Sequence, residues 1–95
     1  MEKIYGQISQ KAKDVLEIAN ACKGNEEITL RLSHKLLKIN EELLSFSKRI
    51  EGGMAEEIKV LGKKVHFFLE NSKDKKLFSD INEISMRIIE EASSY

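Results

Sequence analysis

The chain has 95 residues, of which 41% are hydrophobic and 34% are charged. This is too apolar for a disordered chain, and charges interrupt the apolar residues too often for a membrane span of about twenty residues. The sixteen basic and sixteen acidic side chains cancel, which disfavours broad electrostatic binding of nucleic acid or anionic lipid. We predict one globular domain over residues 1–95. We place it in the cytoplasm, because the first residues show no secretory signal and a single cysteine fits a reducing compartment.

Glycine and polar residues interrupt the chain at three places, and proline is absent, which together predict four helices. The interruptions fall at 23–25, 52–53 and 71–74, so the helices are expected over about 2–22, 26–51, 54–71 and 74–93. Short connections make consecutive helices antiparallel, and the predicted fold is an all-α, up-down-up-down four-helix bundle. A three-helix core with a detached or swapped terminal helix is the alternative.

Each predicted helix carries apolar residues at spacings of three and four, which is typical of a helix with one buried face. Ser72 or Asp74 is expected to cap the fourth helix. The main stripes are Ile4, Ile8, Val15, Ile18 and Cys22; Leu32, Leu36, Ile39, Leu43, Phe46 and Ile50; Met54, Ile58, Leu61, Val65 and Phe68; and Leu77, Ile81, Ile84 and Ile88.

The predicted second helix has more apolar residues than one stripe requires. Leu30, Leu37 and Leu44 recur every seven residues, about 100° from the main stripe. These leucines could complete the core, since a bundle helix can bury a wide arc. They could instead form, with His34 beside them, a contact surface for a homodimer or for another helix.

His34 is expected to face water, because it lies opposite the main stripe of the second helix. Histidine phosphotransfer domains present their phosphoacceptor on a bundle helix in this way, generally with lysine and glycine three and four residues later. Here Leu37 and Lys38 hold those places. The chain therefore departs from that pattern, and His34 is read either as a solvated side chain or as a phosphoacceptor.

A second candidate surface is the locally basic turn predicted between the third and fourth helices. Such a cluster can dock an acidic partner, or can be the solvated end of a bundle. Val60 and Phe67 of the third helix are also seven residues apart. Like the leucines of the second helix, they either complete the core or form a contact surface. The lysines assigned to the basic turn are Lys63, Lys64, Lys73, Lys75 and Lys76.

The compact helical signatures of catalysis and cofactor binding are missing from the sequence. Arg31 and Lys63 stand three residues before the two histidines, where a di-iron bundle requires glutamate. No His-Glu-x-x-His, glycine-rich phosphate loop or cysteine pair occurs, so we expect no metal site. Cys22 lies on an inner stripe and is expected to be a small core residue.

We therefore expect a protein without enzymatic activity or cofactor. Its predicted function is that of an adaptor, regulator or chaperone-like protein that binds another protein, or a second copy of itself, and neither nucleic acid nor membrane. The alternative is a histidine phosphotransfer-like signalling module with His34 as the phosphoacceptor.

Overall fold

The computed structural model describes residues 2–22, 30–71 and 73–95. These residues form four α-helices: α1 (Glu2–Cys22), α2 (Leu30–Ser47), α3 (Gly53–Glu70) and α4 (Lys75–Ser93). Helix α1 packs against α2 and α4, and α3 packs against the same two helices, so the four helices close into a ring. The prediction of an all-α four-helix bundle is confirmed, and the alternative with a detached terminal helix is wrong.

Contacts between distant residues show that neighbouring helices run antiparallel. The ring of Phe68 on α3 lies 6.2 Å from that of Phe78 on α4. Lys64, one turn earlier on α3, pairs with Asp80, which comes later on α4, at 3.1 Å. Moving backward along α3 therefore means moving forward along α4. The start of α1 lies likewise beside the end of the chain.

That last contact is a stack of two tyrosine rings. The rings of Tyr5 and Tyr95 have centroids 4.0 Å apart and planes within 7° of parallel. Farther along α1, Lys11 forms an ion pair of 2.7 Å with Glu42 of α2. The first helix is thus joined to both of its neighbours, as the closed ring requires.

Helix α2 ends at Ser47, four residues before the end predicted at 51. Lys48 and Arg49 follow in a turn, and their N–H groups donate hydrogen bonds to carbonyl groups three residues earlier. These shorter-range bonds replace the α-helical bonds and end the helix. Ile50 then packs against the core from the connection. Gly52 takes a φ of 97°, which only glycine adopts without strain, and leads the chain into α3.

The other boundaries depend on caps. Asp74 caps α4 as predicted, because its Oδ1 accepts hydrogen bonds from the N–H groups of Lys76 at 2.9 Å and Leu77 at 3.2 Å. The ends of α3 and the start of α4 differ from the predicted bounds by one residue. The predicted start of α2 at residue 26 and the alternative cap at Ser72 lie outside the described residues.

One continuous apolar core fills the centre of the bundle. All five residues of the stripe predicted on α3 are buried in it. The half-buried residues Leu32, Phe46 and Ile50 of the stripe predicted on α2 pack against its edge. The core consists of Ile8, Ala12, Val15, Ile18, Ala19, Cys22, Leu36, Ile39, Leu43, Met54, Ile58, Leu61, Val65, Phe68, Ile81, Ile84, Ile88 and Ala92.

A polar contact that the apolar pattern does not predict lies between α2 and α3. Asn40 is buried, and its Nδ2 donates a hydrogen bond to the carbonyl oxygen of Gly62 at 3.4 Å. A Cβ at position 62 would lie 3.1 Å from Oδ1 of Asn40 and 3.6 Å from Leu44. The missing side chain at Gly62 therefore lets α2 approach α3 closely at this level.

Candidate functional site

The leucine row, defined as Leu30, Leu37 and Leu44, follows the side of α2 that faces α3. Leu44 marks this side, because its Cδ2 lies 3.6 Å from the position that a Cβ on Gly62 would occupy. A rise of 1.5 Å per residue spaces the leucines ~10.5 Å apart, so the row extends over ~21 Å. Since it lies about 100° from the stripe that enters the core, it follows the outer edge of the α2–α3 interface.

Burial differs between the two ends of the leucine row. Leu44 is half-buried and packs against the core. Leu37 is also half-buried, but among the described residues it is not one of those that pack against the core. Leu30 is 71% exposed. The row thus leaves the core edge at Leu44 and reaches the surface at the start of α2, so neither predicted reading describes all three leucines.

His34 lies between Leu30 and Leu37 along α2 and is exposed, as its position opposite the main stripe predicts. It forms no hydrogen bond or ion pair with the part of the chain that the structure describes. Leu37 follows three residues later and is half-buried. The imidazole is therefore accessible to solvent and to a partner, next to an apolar side chain.

The basic turn between α3 and α4 lies at the same end of the bundle as Leu30. This follows from topology, because α2 runs antiparallel to α3 and begins beside the end of α3. Three of the predicted lysines, Lys73, Lys75 and Lys76, are exposed at this turn. Lys63 is exposed as well, but it lies farther back along α3.

Lys64, which the sequence assigns to the basic turn, forms an ion pair with the next helix. Its side chain is only 33% exposed, and its Nζ lies 3.1 Å from Oδ2 of Asp80 on α4. The spacing of charges along one helix could not reveal this pair, since the partner comes from the next helix. Lys64 therefore connects α3 to α4.

Val60 and Phe67 form a separate apolar area on α3, with 43% and 56% of their surfaces exposed. They lie within about 60° of Lys64 around the helix, on the side from which it reaches Asp80 on α4. Gly62, which faces α2, lies on the other side. The two candidate apolar areas of the bundle are therefore not continuous.

Few of the described residues carry a nucleophilic or metal-binding group in a favourable place. Cys22 is buried, and its burial raises the pKa of the thiol above the ordinary value of 9.0, so the thiol stays protonated and weakly nucleophilic at neutral pH. Within residues 2–22, 30–71 and 73–95, no three His, Cys, Asp or Glu side chains come together where they could hold a metal ion. Over the same residues, no helix has the length and apolar character needed to cross a bilayer.

An open groove of about 730 Å³ lies at the opposite end of the bundle from Leu30. Lys3 and Arg49 supply positive charge there, and Glu51 supplies negative charge. Ile4 and Tyr5 provide apolar surface between these charges. A mixed lining of this kind favours no single class of ligand.

No protein-family model, curated protein or solved structure matches the chain. Among the described surfaces, the leucine row and the basic turn beside its exposed end are the two predicted features that the fold brings together.

Proposed function

We propose that the protein binds another protein through the leucine row and acts in the cytoplasm as an adaptor, regulator or chaperone-like protein without enzymatic activity. The observation that carries the proposal is the position of Leu37. This leucine lies on the outer edge of the α2–α3 interface, half-buried, and apart from the residues that pack against the core. Together with Leu30 it offers apolar surface that folding leaves partly in contact with water.

A partner that covers these leucines would gain free energy by removing apolar surface from water. Complete burial of a leucine side chain is worth about 1.5–3 kcal/mol, and each 1.4 kcal/mol corresponds to a tenfold change in Kd. The gain from Leu37 is smaller than this range, because part of the side chain is already covered. A charge placed at this position would still oppose binding strongly, since the partner would have to desolvate it.

Leu37→Glu should therefore weaken binding by at least about tenfold while leaving the fold intact. The matched control is Phe67→Glu, which places the same charge on an exposed apolar residue of the other area. Pull-down from native extracts should recover a partner with the wild-type protein and with Phe67→Glu, and lose it with Leu37→Glu. Light scattering over a concentration series would show whether that partner is a second copy of the chain.

Two results would contradict the proposal. A partner retained equally by all three proteins would place the binding surface elsewhere. A Leu37→Glu protein that has lost its helical circular dichroism signal, while Phe67→Glu keeps it, would assign Leu37 to the core. Leu44 is unsuitable for this test, because it packs against the core.

A second candidate function is histidine phosphotransfer, with His34 as the phosphoacceptor. It is favoured by the exposure of His34 on a helix of a four-helix bundle. Incubation with a phosphorylated response regulator should then give an acid-labile phosphate on the wild-type chain and none on His34→Gln. Equal labelling of both proteins, or no labelling of either, would contradict this function for the regulator used.

A further inference from the structure

We propose that the leucine row binds an amphipathic helix with acidic flanks, supplied by a different protein. This inference rests on the proposed function and specifies the partner. The helix would lie along the α2–α3 edge, with its apolar face on Leu37 and Leu30 and an acidic end beside the turn between α3 and α4.

The spacing of the row favours a helical partner. Its leucines are separated by seven residues, which corresponds to ~10.5 Å along α2. A second helix repeats its own apolar side chains at the same distance, because two turns of any α-helix occupy nearly the same length. An extended strand advances about 3.3 Å per residue, so its side chains do not match the ~10.5 Å spacing of the leucines over ~21 Å. A helix of about 14–18 residues would cover the row.

The charges at the exposed end of the row favour acidic flanks. Arg31, next to Leu30, is exposed, and so are Lys73, Lys75 and Lys76 of the turn. Of the acidic side chains there, Asp74 is only half-exposed, and its carboxylate accepts the N–H groups that it caps on α4. Glu70 is the exposed acid nearest to this cluster along α3. Among the residues that the structure describes at this end of the bundle, exposed cations therefore outnumber exposed acids beside Leu30, the most accessible leucine of the row.

The same distribution disfavours a second copy of this chain as the partner. In a two-fold dimer with parallel rows, the basic turns would face each other and repel. With antiparallel rows, the exposed Leu30 of one copy would meet the level of Leu44 in the other, where the side chain is already packed against the core. Neither arrangement therefore both covers the exposed leucines and avoids repulsion between the basic turns.

A displayed library of helices tests the inference. Each member has about 18 residues with leucine at the positions of one helical stripe, and the remaining positions are drawn equally from Glu, Lys, Gln and Ser. Members that bind the wild-type protein and do not bind Leu37→Glu are sequenced. We expect glutamate to exceed lysine among them, and binding of the best member to weaken between about 50 and 300 mM salt.

Charge reversal on the protein gives the matched comparison. Lys75→Glu should weaken the binding of the best library member to the protein by about threefold to tenfold. Lys13→Glu, the same change at an exposed site on α1, should leave that binding unchanged. Selection of lysine-rich or neutral helices would overturn the inference, and so would equal effects of the two reversals. Failure to select any helix that distinguishes wild type from Leu37→Glu would also overturn it. The pull-down result would still decide the proposed function separately.

Discussion

Replacing Phe68 by alanine should lower the free energy of unfolding by about 3–5 kcal/mol. Phe68 is fully buried on α3, and its ring lies 6.2 Å from that of Phe78, so truncation removes both apolar burial and an aromatic contact. A domain of this size has a total stability of roughly 5–14 kcal/mol. The substitution should therefore remove a large share of it.

The next residue provides the control. Phe67 is 56% exposed, so Phe67→Ala should change the free energy of unfolding by no more than about 0.5 kcal/mol. Urea unfolding of both variants, followed by circular dichroism, measures the two values on one helix with one type of substitution. Similar losses of stability in the two variants would contradict the packing of α3 described above.

These two phenylalanines show what the sequence could predict. In a helix, adjacent side chains point 100° apart, so a stripe through Ile58, Leu61 and Val65 necessarily includes Phe68 and leaves Phe67 to one side. The same periodicity located the helices and their inner faces without knowledge of their partners. Local chemistry also offered Asp74, as one of two candidate caps with Ser72, because a carboxylate before a helix meets free N–H groups wherever it occurs.

The end of α2 and the buried amide at Asn40 could not be predicted in the same way. Apolar spacing continues through Phe46 to Ile50, but the chain has to turn toward α3, and Ile50 reaches the core from the connection. Asn40 is polar and belongs to none of the predicted apolar stripes. It is buried because Gly62, on the facing helix, brings a carbonyl group within reach of its amide.

The candidate site was only partly predictable for the same reason. Repetition every seven residues revealed the leucine row, whereas the exposure of each leucine depends on how closely α3 approaches at its level. Leu44 lies beside Gly62 and is half-buried against the core, while Leu30 lies at the end of the bundle and is 71% exposed. Leu30 lies near the basic turn because the helices pack antiparallel. No sequence pattern within either helix predicts this proximity.

Replacing Ser85 by alanine should raise the free energy of unfolding by about 1–2 kcal/mol. Ser85 is fully buried on α4, and its hydroxyl has no hydrogen-bond partner among the described residues. A buried polar group without a partner costs about 1–3 kcal/mol, and alanine also has the higher helix propensity. Alanine keeps nearly the same volume, so little packing is lost.

Ser47→Ala is the matched comparison, because Ser47 is also buried but its Oγ donates a hydrogen bond to the carbonyl oxygen of Leu44 at 2.6 Å. Removal of that bond should lower the free energy of unfolding by about 0.5–1.5 kcal/mol. Urea denaturation should thus shift the midpoint upward for Ser85→Ala and downward for Ser47→Ala. A lower midpoint for both would mean that the hydroxyl of Ser85 is satisfied in solution. An upward shift for Ser85→Ala alone would instead show that its hydroxyl reduces the stability of the bundle.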